Sequence, residues 1–250
     1  MTTPPVAPLP VHGTVPLRAR WEQWMQELVE NPQDVSALTS RYGSPVNVLN
    51  PAPLRHNAQE LLDAGASHDV KTRVFFARKA NKALCFVDAA RESGLGVDVA
   101  SENELRQVLE RDVAPERIIL SAAIKSDGLL RLAISRGVTI SCDSRAECGR
   151  IAAIARALET TARVAPRLAP DPDDLPPTRF GERLPAWQKA EWPTELRAVG
   201  VHVHLHGYSE ADRRTALTEA IALVEHLRAM NQPANFIDIG GGVPMSYLES

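Results

Sequence analysis

The fold is decided by a stretch that begins at Thr72 and reads TRVFFARKANKALCFVDAARESGLGVDVASENEL (72–105). It starts with a β-branched and aromatic run, RVFFA (73–77), and continues through a helix-like segment at 81–92 to a second apolar run, GLGVDVA (94–100). A strand, a helix and a strand in this order are typical of a βα unit beside a parallel sheet. The stretch therefore predicts an α/β fold.

The same alternation continues along the rest of the chain. Further strands are predicted at 117–122, 138–143, 161–169, 198–206 and 235–240, and further helices at 102–111, 126–136, 145–159 and 211–230. Capping-box patterns begin two of these helices, at Ser101 with Glu104 and at Ser144 with Glu147. Because no glycine-rich nucleotide turn follows the first strand, the pattern favours an incomplete (β/α)8 TIM-type barrel of about seven strands.

The segment before the barrel is predicted to have a different organisation. We expect residues 1–16 to be a disordered proline-rich tail, and residues 17–50 to form N-terminal helices and a short strand. The helices are predicted at 17–30 and 34–41, and the strand at 44–50, SPVNVLN. The remaining residues, 51–250, are predicted to form the barrel domain.

Composition restricts the class of protein. A hydrophobic fraction of 44% and a net charge of −3 indicate an ordinary globular chain and give no reason to expect nucleic acid or a membrane as partner. No apolar run reaches the roughly 18 residues of a transmembrane helix, and the start lacks the features of a signal peptide. Cys85, Cys142 and Cys148 lack metal-ligand spacing and suit a reducing compartment, so we expect a cytoplasmic protein without a metal.

Candidate functional residues collect where the predicted strands end, because barrel active sites lie at the carboxyl ends of the strands. Lys79 follows the apolar run VFFA (74–77) after one residue, Arg78. A lysine there is expected to be partly desolvated, which lowers its pKa and provides the neutral amine that Schiff-base formation needs. The alternative is a lysine that already lies beyond the strand and is solvated.

Two further patterns lie on later strands. Gly240, Gly241 and Gly242 follow FIDI (236–239), where backbone N–H groups can surround a phosphate, although a tight turn would also explain them. His202, His204 and His206 alternate, so on an ideal strand they share one face. They permit the metal site of a barrel hydrolase, a histidine stacked on a flat cofactor, or packing near the barrel mouth.

These residues belong to an ordered set of motifs that resembles the ornithine/diaminopimelate/arginine decarboxylase family, the fold-type III pyridoxal-phosphate enzymes with an alanine racemase-like barrel. FFARKAN (75–81) is similar to the lysine motif of that family, and the similarity covers about 40–247. The other matching segments are YGSPVNVLN (42–50), GLGVDVASENEL (94–105), PERIILSAAIKSDGLLRLAISRGV (115–138), ISCDSRAEC (140–148), VAPRLAP (164–170), TRFGE (178–182), VGVHVHLHG (199–207) and FIDIGGGVPMSY (236–247).

The resemblance implies a role for each matching residue. Lys79 would form the internal aldimine with pyridoxal 5′-phosphate, His204 would stack on its ring, and the three glycines would bind its phosphate. Four other residues match family positions near the cofactor whose roles are less defined: Asp98, Glu104, Arg167 and Ser209. The implied reaction is decarboxylation of a basic or diamino acid; a racemase, a non-catalytic cofactor-binding partner and the metal-dependent hydrolase are alternatives.

The chain departs from the family at several points. Arg78 replaces a small apolar residue, and His206 stands where glycine is usual, so the phosphate-binding serine corresponds to Gly207 or Ser209. The family's eighth strand and C-terminal β domain would follow residue 250. We therefore expect a truncated or split enzyme, possessing the barrel half alone, that works as a homodimer or with a second chain supplying the missing half.

Overall fold

The computed structural model describes residues 21–171, 173, 175–205, 207 and 209–242. They form two compact units, 21–50 and 51–242. The predicted tail at 1–16 and the first residues of the predicted helix at 17–30 lie outside the described residues.

The first unit contains two helices, α1 (Gln23–Glu30) and α2 (Pro32–Tyr42). Pro32 at the first position of α2 has a fixed φ that suits a helix start, and Gly43 ends the helix with φ +86°. The short strand predicted at 44–50 is wrong: no described residue pairs with this segment, and a strand requires a hydrogen-bonded neighbour.

The second unit alternates strands and helices as predicted. Its helices are α3 (Ala52–Ala66), α4 (Leu84–Glu92), α5 (Glu102–Leu109), α6 (Asp127–Ser135), α7 (Arg145–Ala157), α8 (Leu184–Gln188) and α9 (Glu210–Ala229). Its strands are β1 (Phe75–Ala77), β2 (Gly96–Val99), β3 (Ile118–Leu120), β4 (Thr139–Cys142), β5 (Ala162–Leu168), β6 (Leu196–Ala198), β7 (Val201–Val203) and β8 (Ile237–Asp238). Helices α3 and α8 were not predicted.

All the strand pairs are parallel, in the order β1-β2-β3-β4-β5-β7-β8, with β6 also paired to β5. Because β6 and β7 both pair with β5, they are two pieces of one barrel strand. β7 lies within the strand predicted at 198–206, whereas β6 begins two residues before it. The described residues therefore provide seven barrel strands in a curled α/β half-barrel, as the sequence predicts.

Gly200 lies in the interruption between β6 and β7 and packs against Phe236. A Cβ at this position would lie 2.5 Å from the ring of Phe236, so the backbone can approach that ring only without a side chain. The Val199 N–H still donates to the Val164 carbonyl at 2.8 Å, which keeps the chain aligned with β5. The strand thus continues past the break, and its second half reaches the barrel mouth.

The predicted helix starts are confirmed by their caps. Ser101 Oγ accepts from the Glu104 N–H at 3.3 Å, and Ser144 Oγ accepts from the Glu147 N–H at 3.1 Å. In a full capping box the glutamate would accept a hydrogen bond from the N–H of the cap residue itself. Here the Glu104 and Glu147 carboxylates accept from the residue before each cap, the Ala100 N–H at 2.8 Å and the Asp143 N–H at 2.9 Å. Each box therefore fixes a helix relative to the strand before it.

Two other findings concern the cysteines and the membrane. Cys142 and Cys148 are joined as a disulfide with their Cα atoms 6.2 Å apart, whereas Cys85 is free. This pairing was not predicted, because the two residues belong to different elements that only the fold brings together. Among the described helices, none is both long and apolar enough to span a bilayer.

Candidate functional site

The carboxyl ends of the strands bring the predicted residues to one rim. In the sheet register, Ala77 pairs with Asp98, Arg167 with His202, and His202 with Asp238. Residues from β2, β5, β7 and β8 therefore lie at corresponding heights near the mouth of the barrel. This rim is where active sites of (β/α)8 barrels are built.

Lys79 lies in a turn immediately after β1. The turn is fixed by the Arg78 N–H, which donates to the Asp98 carbonyl at 2.9 Å, and by the Ala80 N–H, which donates to the Ala77 carbonyl at 2.9 Å. Lys79 is exposed, so the expectation of a partly desolvated lysine is not met: the residue lies one position beyond the last buried residue, Arg78. Its charge nevertheless lowers the pKa values of the Asp98 carboxyl and the His204 imidazole.

Asp98 is the most perturbed carboxylate of the rim. Burial raises the pKa of its carboxyl to about 6, against a hydrogen bond from Ser121 and the charge of Lys79, both of which lower it. The nearby charge of Asp238 raises it further. Its Oδ1 is buried without a hydrogen-bond partner among the described residues. Asp98 therefore presents an unsatisfied acceptor, which a bound molecule with a donor would relieve.

His202 is held inside the barrel and is used structurally. Its Nδ1 lies 2.6 Å from Ser141 Oγ, and its Nε2 lies 3.9 Å from Asp238 Oδ2. Burial lowers the pKa of the His202 imidazole, so the neutral ring is favoured. Both ring nitrogens thus face partners in the barrel interior, on β4 and β8.

His204 lies two residues later, at the opening. Burial, and then the charge of Lys79, lower the pKa of its imidazole to about 4. The Gly241 N–H donates to His204 Nδ1 at 3.3 Å, which requires an unprotonated Nδ1. His204 is therefore a neutral, half-buried ring beside the glycine loop.

The glycine loop, Gly240–Gly242, has a backbone that other residues rarely adopt. Gly240 has φ +69° and Gly242 has φ +80°. A Cβ on Gly240 would lie 2.2 Å from His204 Nδ1, so only glycine lets the ring and the loop lie this close. The Gly240 N–H donates to Asp238 Oδ1 at 2.8 Å. The loop thus gathers amide donors at the mouth.

Arg167 is a buried cation at the same rim. Its Nη1 lies 3.3 Å from Asp143 Oδ1, and its guanidinium stacks 4.6 Å from the centre of the Phe180 ring. Burial lowers the pKa of Arg167, while the charge of Asp143 opposes that shift. The carbonyl of Arg167 also accepts from Trp187 Nε1 at 2.8 Å, which ties the end of β5 to α8.

Other predicted residues have different roles in the structure. Ser209 is exposed and caps α9, its Oγ accepting from the Asp212 N–H at 3.2 Å. Glu104 binds the Ala100 N–H and Lys82. His206 lies outside the described residues. Within residues 21–242, apart from the gaps given above, no group of three or more His, Cys, Asp or Glu side chains is arranged to hold a metal ion.

Sequence reasoning did not assign roles to several residues that complete the rim. Ser121 and Ser141 were missed because serine carries no signal of its own, although Ser141 lies two residues before Asp143 at the end of the same strand. Asp238 was not among the candidates, yet its charge acts on the pKa values of Asp98 and both histidines. Only the curvature of the sheet brings these side chains together.

The family of the chain is decided by a comparison with family models. The pyridoxal-binding domain of the pyridoxal-dependent decarboxylases matches residues 55–250. The chain belongs to this family. Its matched portion is the domain that binds pyridoxal, so the lysine, the neutral histidine and the glycine loop lie in the part of the family that carries the cofactor.

Individual relatives agree with this assignment. The chain is 30% identical over 214 residues to the uncharacterized protein y4yA of Sinorhizobium fredii, covering 84% of this chain and 46% of the relative. It is 27% identical over 227 residues to diaminopimelate decarboxylase of Methanothermobacter thermautotrophicus, covering 86% and 53%. The chain therefore spans about half the length of the curated relatives it matches.

Solved structures show the same fold. Diaminopimelate decarboxylase from M. jannaschii, in co-complex with L-lysine, superposes with a TM-score of 0.75 at 22% identity, over 86% of this chain and 55% of that chain. A mutant of SrLDC in complex with PLP superposes with a TM-score of 0.71 at 24% identity, over 92% and 58%. The half-barrel is therefore the fold of these decarboxylases.

The residues at the mouth fit a pyridoxal group. Asp98 has a buried oxygen without a partner among the described residues, and the close approach of Gly240 to His204, which a Cβ would prevent, holds the ring beside the glycine loop. A flat neutral ring, an amide-rich loop and an amine at the same mouth are the groups that a phosphorylated aromatic aldehyde needs. The groups at the mouth and the family of the chain therefore both indicate a pyridoxal cofactor.

Proposed function

We propose that this chain is the cofactor-binding barrel of a pyridoxal-phosphate-dependent amino-acid decarboxylase that acts on a basic or diamino acid. The observation that carries the proposal is the grouping of Lys79, Asp98, His204 and Gly240–Gly242 at one barrel mouth. Similarity to diaminopimelate decarboxylases supports the substrate class.

The proposal assigns each residue a task. The Lys79 amine attaches the cofactor through its aldehyde, and the exposed position of Lys79 leaves the amine accessible. His204 packs on the ring as a neutral imidazole, and the phosphate is assigned to the glycine loop, Gly240–Gly242. The Gly240 and Gly241 N–H groups donate to Asp238 Oδ1 and His204 Nδ1, so they would exchange these acceptors for phosphate oxygens when the cofactor binds. When bound, the cofactor supplies an electron sink for loss of the substrate's α-carboxylate.

Asp98 and Arg167 are assigned supporting roles. The raised pKa of Asp98 keeps a fraction of its carboxyl protonated near neutral pH, so it can hold a proton beside the Lys79 amine. Arg167 keeps its side chain fixed by Asp143 and Phe180 and places a positive charge at the rim. Ser209 stays a candidate phosphate contact through its hydroxyl proton, because its oxygen already accepts from the Asp212 N–H.

Assembly and location are also proposed. The chain would work as a homodimer or together with a second chain, as its resemblance to the family implies. A cytoplasmic location follows from the family and the composition, and the Cys142–Cys148 disulfide opposes it. Thiol titration of protein isolated from cells distinguishes the two: all 3 cysteines react if the compartment is reducing.

An absorbance titration combined with a substrate panel tests the function. Addition of pyridoxal phosphate is expected to produce the visible band of the covalently held cofactor, and this band is lost in Lys79→Ala. Lys82→Ala is the matched control. Release of carbon dioxide from diaminopimelate, lysine, ornithine or arginine supports the decarboxylase, and stereochemical inversion of an amino acid supports a racemase. A band without turnover supports a non-catalytic partner, and the absence of any band contradicts the proposal.

A further inference from the structure

The glycine loop is held from behind by an arginine of α9. Arg213 Nη2 donates to the Gly241 carbonyl at 3.0 Å and to the Gly242 carbonyl at 2.7 Å, and its Nη1 lies 3.4 Å from the Ile239 carbonyl. One guanidinium therefore donates to three backbone carbonyls, one just before the glycine loop and two within it, which all lie on the same side. A planar fork of donors is suited to this geometry, which a single ammonium group cannot reproduce.

The direction of the carbonyls determines the direction of the amides. In a trans peptide the C=O and the following N–H point in opposite directions. Because the Ile239 and Gly241 carbonyls face Arg213, the Gly240 and Gly242 N–H groups face away from it. The Gly240 N–H indeed donates to Asp238 on the mouth side, and the next amide, of Gly241, donates to His204.

We propose that Arg213 is a positioning residue for phosphate binding, an inference that rests on the proposed function. It holds the Ile239 and Gly241 carbonyls away from the mouth, so that the Gly240 and Gly242 N–H groups lie on the phosphate side, and it adds a positive charge behind them. Ser209 is engaged as the cap of the same helix, so α9 fixes the loop chiefly through Arg213.

The proposal makes a prediction specific to the phosphate. Dissociation constants are measured for pyridoxal phosphate and for pyridoxal, which lacks the phosphate, with the wild type, Arg213→Gln, Arg213→Lys and the control Arg214→Gln. Arg213→Gln is expected to weaken binding of pyridoxal phosphate by about tenfold or more, since hydrogen bonds to a charged group are worth about that factor each. Binding of pyridoxal is expected to stay unchanged.

The variants separate positioning from general support of the fold. Arg213→Lys retains the charge but not the fork, so it too is expected to lose affinity for pyridoxal phosphate selectively, whereas Arg214→Gln keeps the wild-type ratio. Circular dichroism shows whether each variant is folded. If Arg213→Gln is unfolded, the ratio of the two dissociation constants for Arg213→Lys tests the inference instead. Equal weakening for both ligands, or an unchanged ratio, overturns the inference. Failure of the wild type to bind pyridoxal phosphate overturns the proposed function as well, a result that the wild-type titration alone identifies.

Discussion

Asp98 and His204 have pKa values shifted in opposite directions by the same cause. Burial disfavours the charged form of each group, which raises the pKa of the carboxyl to about 6 and lowers that of the imidazole to about 4. Both groups are therefore closer to neutral than exposed residues would be. A rim made of such groups can bind an aromatic ring and move protons without carrying full charges.

The carboxyl of Asp98 predicts a pH-dependent stability. Because its folded pKa lies above its unfolded value, the folded state binds more protons between about pH 4 and about pH 6, and the free energy of unfolding falls as pH rises through that range. Asp98→Asn lacks this loss, so relative to the wild type it is expected to gain about 2 to 3 kcal/mol between pH 4 and pH 7. Urea unfolding at both pH values measures the difference. If the difference in unfolding free energy between the wild type and Asp98→Asn did not change with pH, the Asp98 carboxyl would not be buried as described.

His204 predicts the opposite behaviour on acidification. Its folded pKa lies below its unfolded value, so the stability that it contributes is present above the unfolded pKa and is lost as pH falls toward about 4. The ring is expected to stay neutral from about pH 8 down to about pH 5. NMR of the imidazole, with His204→Gln to assign the signal, measures this. A midpoint near 6.5 would show that the ring is solvated.

At the residue scale, the sequence indicates which residues belong to the site better than it indicates how buried or hydrogen-bonded they are. Lys79, His204 and the glycine loop were found because a strand end, an alternation and a glycine run leave patterns along the chain. The exposure of Lys79 was not predicted, because a shift of one residue past a strand end separates a buried side chain, Arg78, from a solvated one. The unsatisfied oxygen of Asp98 depends on neighbours from other strands and has no local pattern.

At the scale of elements, the glycine loop allows a matched pair of substitutions. Gly240→Ala places a methyl group against His204 and requires a left-handed backbone, whereas a Cβ on Gly241 meets nothing within 4 Å and that residue has no positive φ. Gly240→Ala is expected to cost about 1 to 3 kcal/mol of stability and to weaken cofactor binding at least tenfold. Gly241→Ala is expected to stay near the wild type in stability.

Thermal unfolding and cofactor titration measure both variants of this pair. Similar effects of the two substitutions would indicate that the loop adapts, and would remove the argument that the closeness of Gly240 to His204 builds the site.

The boundaries of the elements show which local signals are reliable. Helices α5 and α7 begin where the capping boxes predict, since the cap is a contact within four residues. Helix α3 was missed because only Ala58 among its residues is buried, which leaves a weak apolar stripe. The segment 44–50 has the composition of a strand, but pairing is decided by distant residues and did not follow.

At the scale of the whole molecule, the order of the strands could be predicted from the sequence, whereas the side-chain contacts at the barrel mouth could not. Alternating strands and helices with parallel pairing restrict the topology to few arrangements. The contacts of Ser141 with His202 and of Arg167 with Asp143 join side chains on or directly after different strands of the curved sheet. These contacts join residues far apart in sequence, so no periodicity predicts them.

The central claim is that Lys79 holds the cofactor at this mouth, and one labelling experiment tests it directly. The protein is incubated with pyridoxal phosphate, reduced with borohydride and digested, and the peptides are analysed by mass spectrometry. The account predicts the added mass of the reduced cofactor on the peptide that contains Lys79, its absence in Lys79→Ala, and its retention in Lys82→Ala. Labelling at another lysine, or a folded wild type that takes up no label, would contradict the account.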